Sequence, residues 1–280
     1  MSVLVRPFSM KTTRNSILIF AALTLLSAGL MSFVFPQKVT KIYLIGDSTM
    51  MDYDKYREDY KTSIYPLSGW GQYFQELFDA ETIASLGTLI KTDSVLVDNR
   101  AIGGRSTRSF FEEGRWAKVY NDLQAGDLVM IQFGHNDATL ERPLRYVTPA
   151  AYKEFIRLYV NQTREKGAIP IVITPVSRNE PWKDGRLENL HGDYYTAAVE
   201  VSEELEVAMI DLTMRSMEFF EEKGEEYVTA NYFMNMKPGQ YPNYPDGKED
   251  NTHFVTEGAK EVAKLVMRGL LEQNLAESKK

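Results

Sequence analysis

Three side chains of this sequence suit acyl transfer: Ser48 in Gly46-Asp47-Ser48-Thr49-Met50, His253 in Asp250-Asn251-Thr252-His253-Phe254, and Asn136 in Gly134-His135-Asn136-Asp137. A serine hydroxyl is a weak nucleophile until a base takes its proton, and that base needs a third group to hold it. Asp250 and His253 are three apart, so within one turn the carboxylate reaches the near ring nitrogen and leaves the far one facing a nucleophile. Asn136 carries a carboxamide N–H that can donate to a developing oxyanion. Gly103, in the run 99–106, lets a backbone N–H approach the same point. Each signal has an ordinary alternative. A serine after a strand caps the next helix, Asp250 sits solvated in a surface turn, Asn136 and Asp137 close an Asx-turn, and Gly103-Gly104 is a bare turn. Asp47 reads as a residue that fixes the turn. The sequence holds three histidines; His191 has no partner nearby and reads as structural or as part of the rim.

The elements that must position these groups follow from the hydrophobic pattern. Short apolar runs at 41–46, 95–101, 127–134, 169–176 and 208–212 predict five strands. One-face spacing of Tyr152, Phe155, Ile156 and Tyr159 predicts a helix opened by Thr148-Pro149 and closed by Gly167. Segments 191–205, 214–222 and 257–273 read as further helices, the last capped by Thr256. Strands alternating with helices predict an α/β fold with a mostly parallel sheet covered on both faces. The serine, the glycine, the asparagine and the Asp-His pair then all fall on one edge of it, where open α/β sheets bind ligands. Two polar connections, 51–65 and 227–249, are rich in Tyr, Asn and Pro; they are either sugar-binding loops or stiffened surface loops.

Composition narrows the alternatives. The 280 residues are 44% hydrophobic and 25% charged with net charge -7, and no lysine or arginine block offers a footprint for nucleic acid. With no cysteine, disulfides, thiolate metal sites and a cysteine nucleophile are excluded. Arg6, Lys11 and Arg14 precede the apolar stretch 17–35, which Pro36 ends. That layout predicts residues 1–37 as a secretory signal directing export, or, uncut, as an N-terminal membrane anchor. Residues 38–280 are then one domain.

Taken in order, GDSTM, the Asn-x-Ala-x-x-Gly run 99–104, GHND and DNTHF resemble the four blocks of the SGNH hydrolase superfamily, the GDSL-like esterases, and Thr174-Pro175-Val176 adds a further fit. Met50 departs from the leucine of the family name but has a similar apolar volume. The combination of blocks is most similar to the rhamnogalacturonan acetylesterase branch. The resemblance implies a three-layer α/β/α, flavodoxin-like fold with a central parallel five-stranded sheet. It also implies a serine esterase acting on an acetylated polysaccharide without cofactor or metal. Ser48, Asp250 and His253 would then be catalytic, and Ser48, Gly103 and Asn136 would form the oxyanion hole. Arg105 and Arg108 either pair with galacturonate carboxylates or lie on a solvated helix face. The alternatives are an acetylesterase for xylan or another glycan, a non-catalytic glycan-binding module, and a metal-dependent phosphoesterase using Asp47, Asp137, Asp250, His135 and His253.

Overall fold

Near-continuous runs of buried apolar side chains build the centre of the sheet. The computed structural model describes residues 39–277, so the expected leader at 1–37 lies outside the described residues. The strands are β1 (Thr40–Gly46), β2 (Val95–Asn99), β3 (Leu128–Gln132), β4 (Ile169–Ile173), β5 (Trp182–Lys183), β6 (Arg186–Leu187) and β7 (Ala208–Ile210). The helices are α1 (Tyr53–Tyr56), α2 (Tyr60–Ser63), α3 (Ala80–Ser85), α4 (Thr107–Glu112), α5 (Arg115–Asp122), α6 (Pro149–Glu165), α7 (Gly192–Glu204), α8 (Leu212–Lys223), α9 (Glu225–Asn231) and α10 (Thr256–Glu277). Among the described residues no helix is long and apolar enough to cross a membrane.

Five strands form one sheet in the order β2-β1-β3-β4-β7, every pair parallel. This is the flavodoxin-like order. Ile42, Leu44, Leu128, Met130, Ile171 and Ile173 point into one core, shared with α8 and α10. Tyr43, Ile45, Val129, Ile131 and Val172 point into the other, shared with α4, α5, α6 and α7. Successive side chains of a strand face opposite ways, so a run that is apolar at every position requires helices on both faces. On α10, Ala259, Val262, Ala263 and Val266 are fully buried; each valine contributes about 1.5–3 kcal/mol. Helix α6 starts as its residues dictate, with the Thr148 side chain accepting from the Ala151 N–H and proline in the first turn. Just past its end, Gly167 takes a positive φ of 68°, the left-handed cap that glycine adopts without penalty.

Strand β1 ends at Gly46, as the apolar pattern predicts, whereas β2, β3, β4 and β7 end two or three residues before their apolar runs do, because Ala101, Phe133, Val176 and Leu212, beyond the strand ends, are themselves buried. Helix α10 begins at Thr256 itself, whose hydroxyl lies 3.4 Å from those of Tyr73 and Ser68. The two long connections are not irregular. Residues 51–65 contain α1 and α2, and the region after Asn231 is tied by bridges Phe233↔Phe254, Met236↔Lys248 and Tyr241↔Tyr244. The small antiparallel pair β5 and β6 has too few residues to show a period.

The chain leaves β1 toward β2 on one side and reaches β3 on the other, which opens a crevice at their carboxyl ends. Gly46 pairs with Gln132, so the segments bearing Ser48 and Asn136 emerge side by side.

Candidate active site

Buried polar side chains knit the loops at this edge together. Gln132 donates to Thr49 Oγ1 at 2.8 Å and accepts from Trp70 Nε1 at 2.9 Å. Asn99 donates to the Met50 carbonyl at 2.8 Å and accepts from the Ala101 N–H at 3.0 Å. Asp47 Oδ1 accepts from the Thr49 N–H and hydroxyl, both at 2.9 Å, and so fixes the turn that presents Ser48. Asp137 accepts from Thr107 N, Thr107 Oγ1 and Gly134 N at 2.9, 2.6 and 3.1 Å, which ties the loop after β3 to the start of α4. Burial pushes the Asp47 carboxyl up to about 6 against the Thr49 hydrogen bonds, and that of Asp137 up to about 7 against those from Thr107. Asp137 is therefore a clamp between loops rather than the Asx-turn residue that its sequence position suggests, since the N–H groups of Ala138 and Thr139 bond the Gly134 and Asn136 carbonyls instead.

His253 reaches the serine from the far end of the chain. The turn that carries it is pinned on both sides: Met234 N donates to the His253 carbonyl at 2.9 Å, and Ser68 N to that of Phe254 at 2.9 Å. His253 Nε2 lies 2.9 Å from Ser48 Oγ, and Nδ1 lies 3.1 and 2.9 Å from the Asp250 oxygens. An ionised carboxylate only accepts, so Nδ1 carries the proton and Nε2 offers a lone pair to the serine hydroxyl. Asp250 also accepts from the N–H groups of Thr252 and His253, each at 3.0 Å, while its own N–H donates to Asn235 Oδ1 at 2.9 Å. Burial raises the Asp250 pKa, but the hydrogen bond and charge of His253 and these two N–H groups outweigh it and hold the carboxyl at about 2.

The oxyanion side is more nuanced than its sequence motif. Among the described residues the Ser48 N–H has no acceptor. Asn136 Nδ2 donates one hydrogen to the Arg105 carbonyl at 3.2 Å and Oδ1 accepts from Arg145 at 3.4 Å, so its second N–H is spare. The Gly103 N–H points at Met51 Sδ, 3.2 Å away, a weak acceptor. A Cβ on Gly103 would lie 3.6 Å from the Ser48 Cβ, in the space over the nucleophile. It is Gly104, with φ 78°, that needs to be glycine for backbone reasons.

The remaining predicted residues are accounted for differently. His135 and His191 are buried and stack edge to face, 4.6 Å between centroids. His191 Nε2 lies 2.8 Å from the Val176 carbonyl. Burial drives His135 well below the ordinary histidine value and His191 down to about 4, so both stay neutral. Arg105 pairs with Glu113 and the Gly103 carbonyl. Arg108 bonds the Pro143 carbonyl and faces Glu112 at 3.6 Å. No three carboxylate or imidazole groups among the described residues cluster so as to hold a metal ion.

A cavity of about 460 Å³ opens over Ser48, and Tyr53, Thr139, Arg142, Arg145, Arg178 and Thr252 line it alongside the predicted residues. Sequence reasoning missed these six. Tyr53 stood in the tyrosine-rich stretch after the serine, and the arginines follow β3 and β4 on the ligand edge. A larger hollow of about 750 Å³, lined by Asn179, Trp182, Asn235, Lys237 and Asn251, sits on the other side of the turn that carries His253.

A parallel sheet in this order with a Ser-His-Asp array at its switch point defines a serine hydrolase scaffold. The chain belongs to the GDSL-like lipase/acylhydrolase family, whose profile matches residues 44–260. It is a carboxylic ester hydrolase. It is 38% identical over 239 residues to the rhamnogalacturonan acetylesterase RhgT of Bacillus subtilis, covering 85% of this chain and 93% of that one. Among solved structures it resembles YxiM of B. subtilis, with TM-score 0.68 and 26% identity over 86% of this chain and 58% of that one. It also shares its fold with the acetylxylan esterase Axe2 of Geobacillus stearothermophilus, with TM-score 0.52 and 16% identity over 82% of this chain and 94% of that one.

Proposed function

We propose that the protein removes O-acetyl groups from pectic rhamnogalacturonan through an acetyl-enzyme. The observation that carries the reaction class is the continuous relay of Ser48 Oγ, His253 and Asp250 at 2.9 Å contacts; the likeness to the rhamnogalacturonan acetylesterase RhgT supports the substrate. Ser48 Oγ attacks the acetyl carbonyl carbon while its proton passes to His253 Nε2. The imidazolium is stabilised by Asp250, and the carbonyl oxygen takes on negative charge as the tetrahedral intermediate forms. The Ser48 N–H and the spare Asn136 N–H donate to that oxygen, and the Gly103 N–H joins them by exchanging the Met51 thioether for a stronger acceptor. His253 then returns the proton to the leaving sugar hydroxyl. Water, activated by the same nitrogen, frees acetate and restores Ser48.

Arg6, Lys11 and Arg14 ahead of the apolar stretch 17–35 support a second part of the reading. Residues 1–37 direct export or anchor the enzyme, which suits a polymer too large to enter a cell. Acetate release from acetylated rhamnogalacturonan, with acetylated xylan and Ser48→Ala alongside, tests the first part. The pectic substrate is expected to be preferred, with turnover lowered by about 10⁶-fold in the variant. More than a few per cent of activity in folded Ser48→Ala rules out the nucleophile. N-terminal sequencing of exported protein tests the second.

A further inference from the structure

We propose that Arg142, Arg145 and Arg178 form a carboxylate-recognition site that seats uronic-acid units of the glycan beside the ester attacked by Ser48. This deepens the acetylesterase reading and rests on it. All three line the cavity over the serine, and no acidic residue lines that cavity. In a chain of net charge -7, this is a local concentration of positive charge against the overall sign. Among the described residues none of the three has a carboxylate within 4.0 Å, whereas Arg100, Arg105, Arg115, Arg157 and Arg215 each do. A guanidinium left without a counter-ion while like charges crowd it is costly, and burial together with Arg142 and Arg105 lowers the Arg145 pKa. An arriving anion relieves that repulsion.

The seat is also shaped. A Cβ added to Gly104 would lie 2.8 Å from Arg145 Nη2, so the bare glycine backbone leaves room for the guanidinium at the lip of the oxyanion side. Planar guanidinium forks match carboxylates in bidentate fashion, and low-dielectric walls focus their field into the cleft. Galacturonate carries one such carboxylate per ring; xylose carries none. The arginines that the sequence offers for this role as one alternative, Arg105 and Arg108, are already engaged within the protein, and the loop after Asn136 supplies Arg142 and Arg145.

Calorimetric titration of the full chain with trigalacturonate and with its carboxyl-reduced counterpart reads the site without turnover. Its failure is therefore separable from failure of the esterase reading, which acetate release reports. The uronate trimer is expected to bind at least about tenfold more tightly at low salt, a preference that shrinks as salt is raised. Arg142→Gln and Arg178→Gln should each cut the preference by about tenfold. Arg145 is left intact because its contact with Asn136 would mix binding with catalysis. Equal affinity for the two trimers, or a preference that survives in the Arg142→Gln/Arg178→Gln double variant, overturns the proposal. Should that variant fold poorly, a salt-independent preference in the unaltered protein overturns it equally.

Discussion

Replacing Asp250 by asparagine separates two ways in which a carboxylate can serve His253. The Thr252 and His253 N–H groups both bond Oδ1, so the new carboxamide keeps its oxygen there and places its NH₂ at the Oδ2 position, 2.9 Å from His253 Nδ1. A donor at that point demands an acceptor. Nδ1 gives up its hydrogen, Nε2 carries it instead, and the serine hydroxyl 2.9 Å away loses its base. The net stabilisation of the Asp250 charge can be sized: the hydrogen bonds and charge around it, less the cost of burial, hold the carboxyl at about 2 rather than 3.8. At about 1.4 kcal/mol per unit, discounted for solvent screening of a partly exposed pair, that is roughly 1–2 kcal/mol. Charge loss alone therefore costs about 5- to 30-fold, whereas the wrong tautomer costs about 10⁴-fold. Initial rates of aryl acetate hydrolysis, with circular dichroism as a check on folding, distinguish the two. We expect kcat to fall by about 10⁴ with KM little changed; a loss of 30-fold or less would refute the tautomer argument and with it the orienting role of Asp250.

Asn136→Ala should lower kcat by about 10² to 10³ while leaving the stoichiometry of serine labelling by an organophosphate unchanged; an effect confined to KM contradicts an oxyanion role. Asp137 has a folded-state pKa of about 7 against 3.8, so its contribution to stability is fully present below about pH 4 and is lost as pH rises to 7. In urea unfolding, the stability of the native protein relative to Asp137→Asn is expected to decline across that window, and a flat or rising difference contradicts the buried, proton-retaining carboxyl. At Gly71 a Cβ would fall 2.4 Å from the Met50 carbonyl and 2.5 Å from Asn99 Nδ2. Gly71→Ala should therefore cost about 1–3 kcal/mol and lower activity by displacing the loop behind Ser48, which a thermal melt paired with initial rates will show.

What could be read from sequence follows physical range. Strands β1, β3 and β4 were legible because a strand buried on both faces is apolar at every position, and α6 because Thr148, Pro149 and Gly167 mark its ends. Ser48, Asn136, Asp250 and His253 were legible because each sits in a short motif whose local geometry already constrains its use. The arginine lining was not. Arg142 and Arg145 belong to a loop whose direction is set by Asp137 binding Thr107 and by Val147 N donating to the Asp137 carbonyl, contacts made across the fold. For Arg105 and Arg108 the sequence leaves substrate and a solvated helix face both open, and it is Glu113 and Glu112, one or two turns away, that partner them. One-turn helices such as α1 and α2 are too short to display a period at all.

The serine and the histidine that meet at 2.9 Å are 205 residues apart in the chain. Closing so long a loop adds little entropy beyond a shorter one, because the cost grows only with the logarithm of length. The order of events is constrained far more tightly. Ser48 follows the first strand, which ends up in the interior of the sheet between β2 and β3. His253 arrives just ahead of the final helix, and its turn is held by Ser68 and Met234. During synthesis a growing chain therefore displays its nucleophile long before it owns a base. A ribosome stalled anywhere before residue 253 leaves a product that is chemically mute, and hydrolytic power begins only when the two ends of the sequence have found each other.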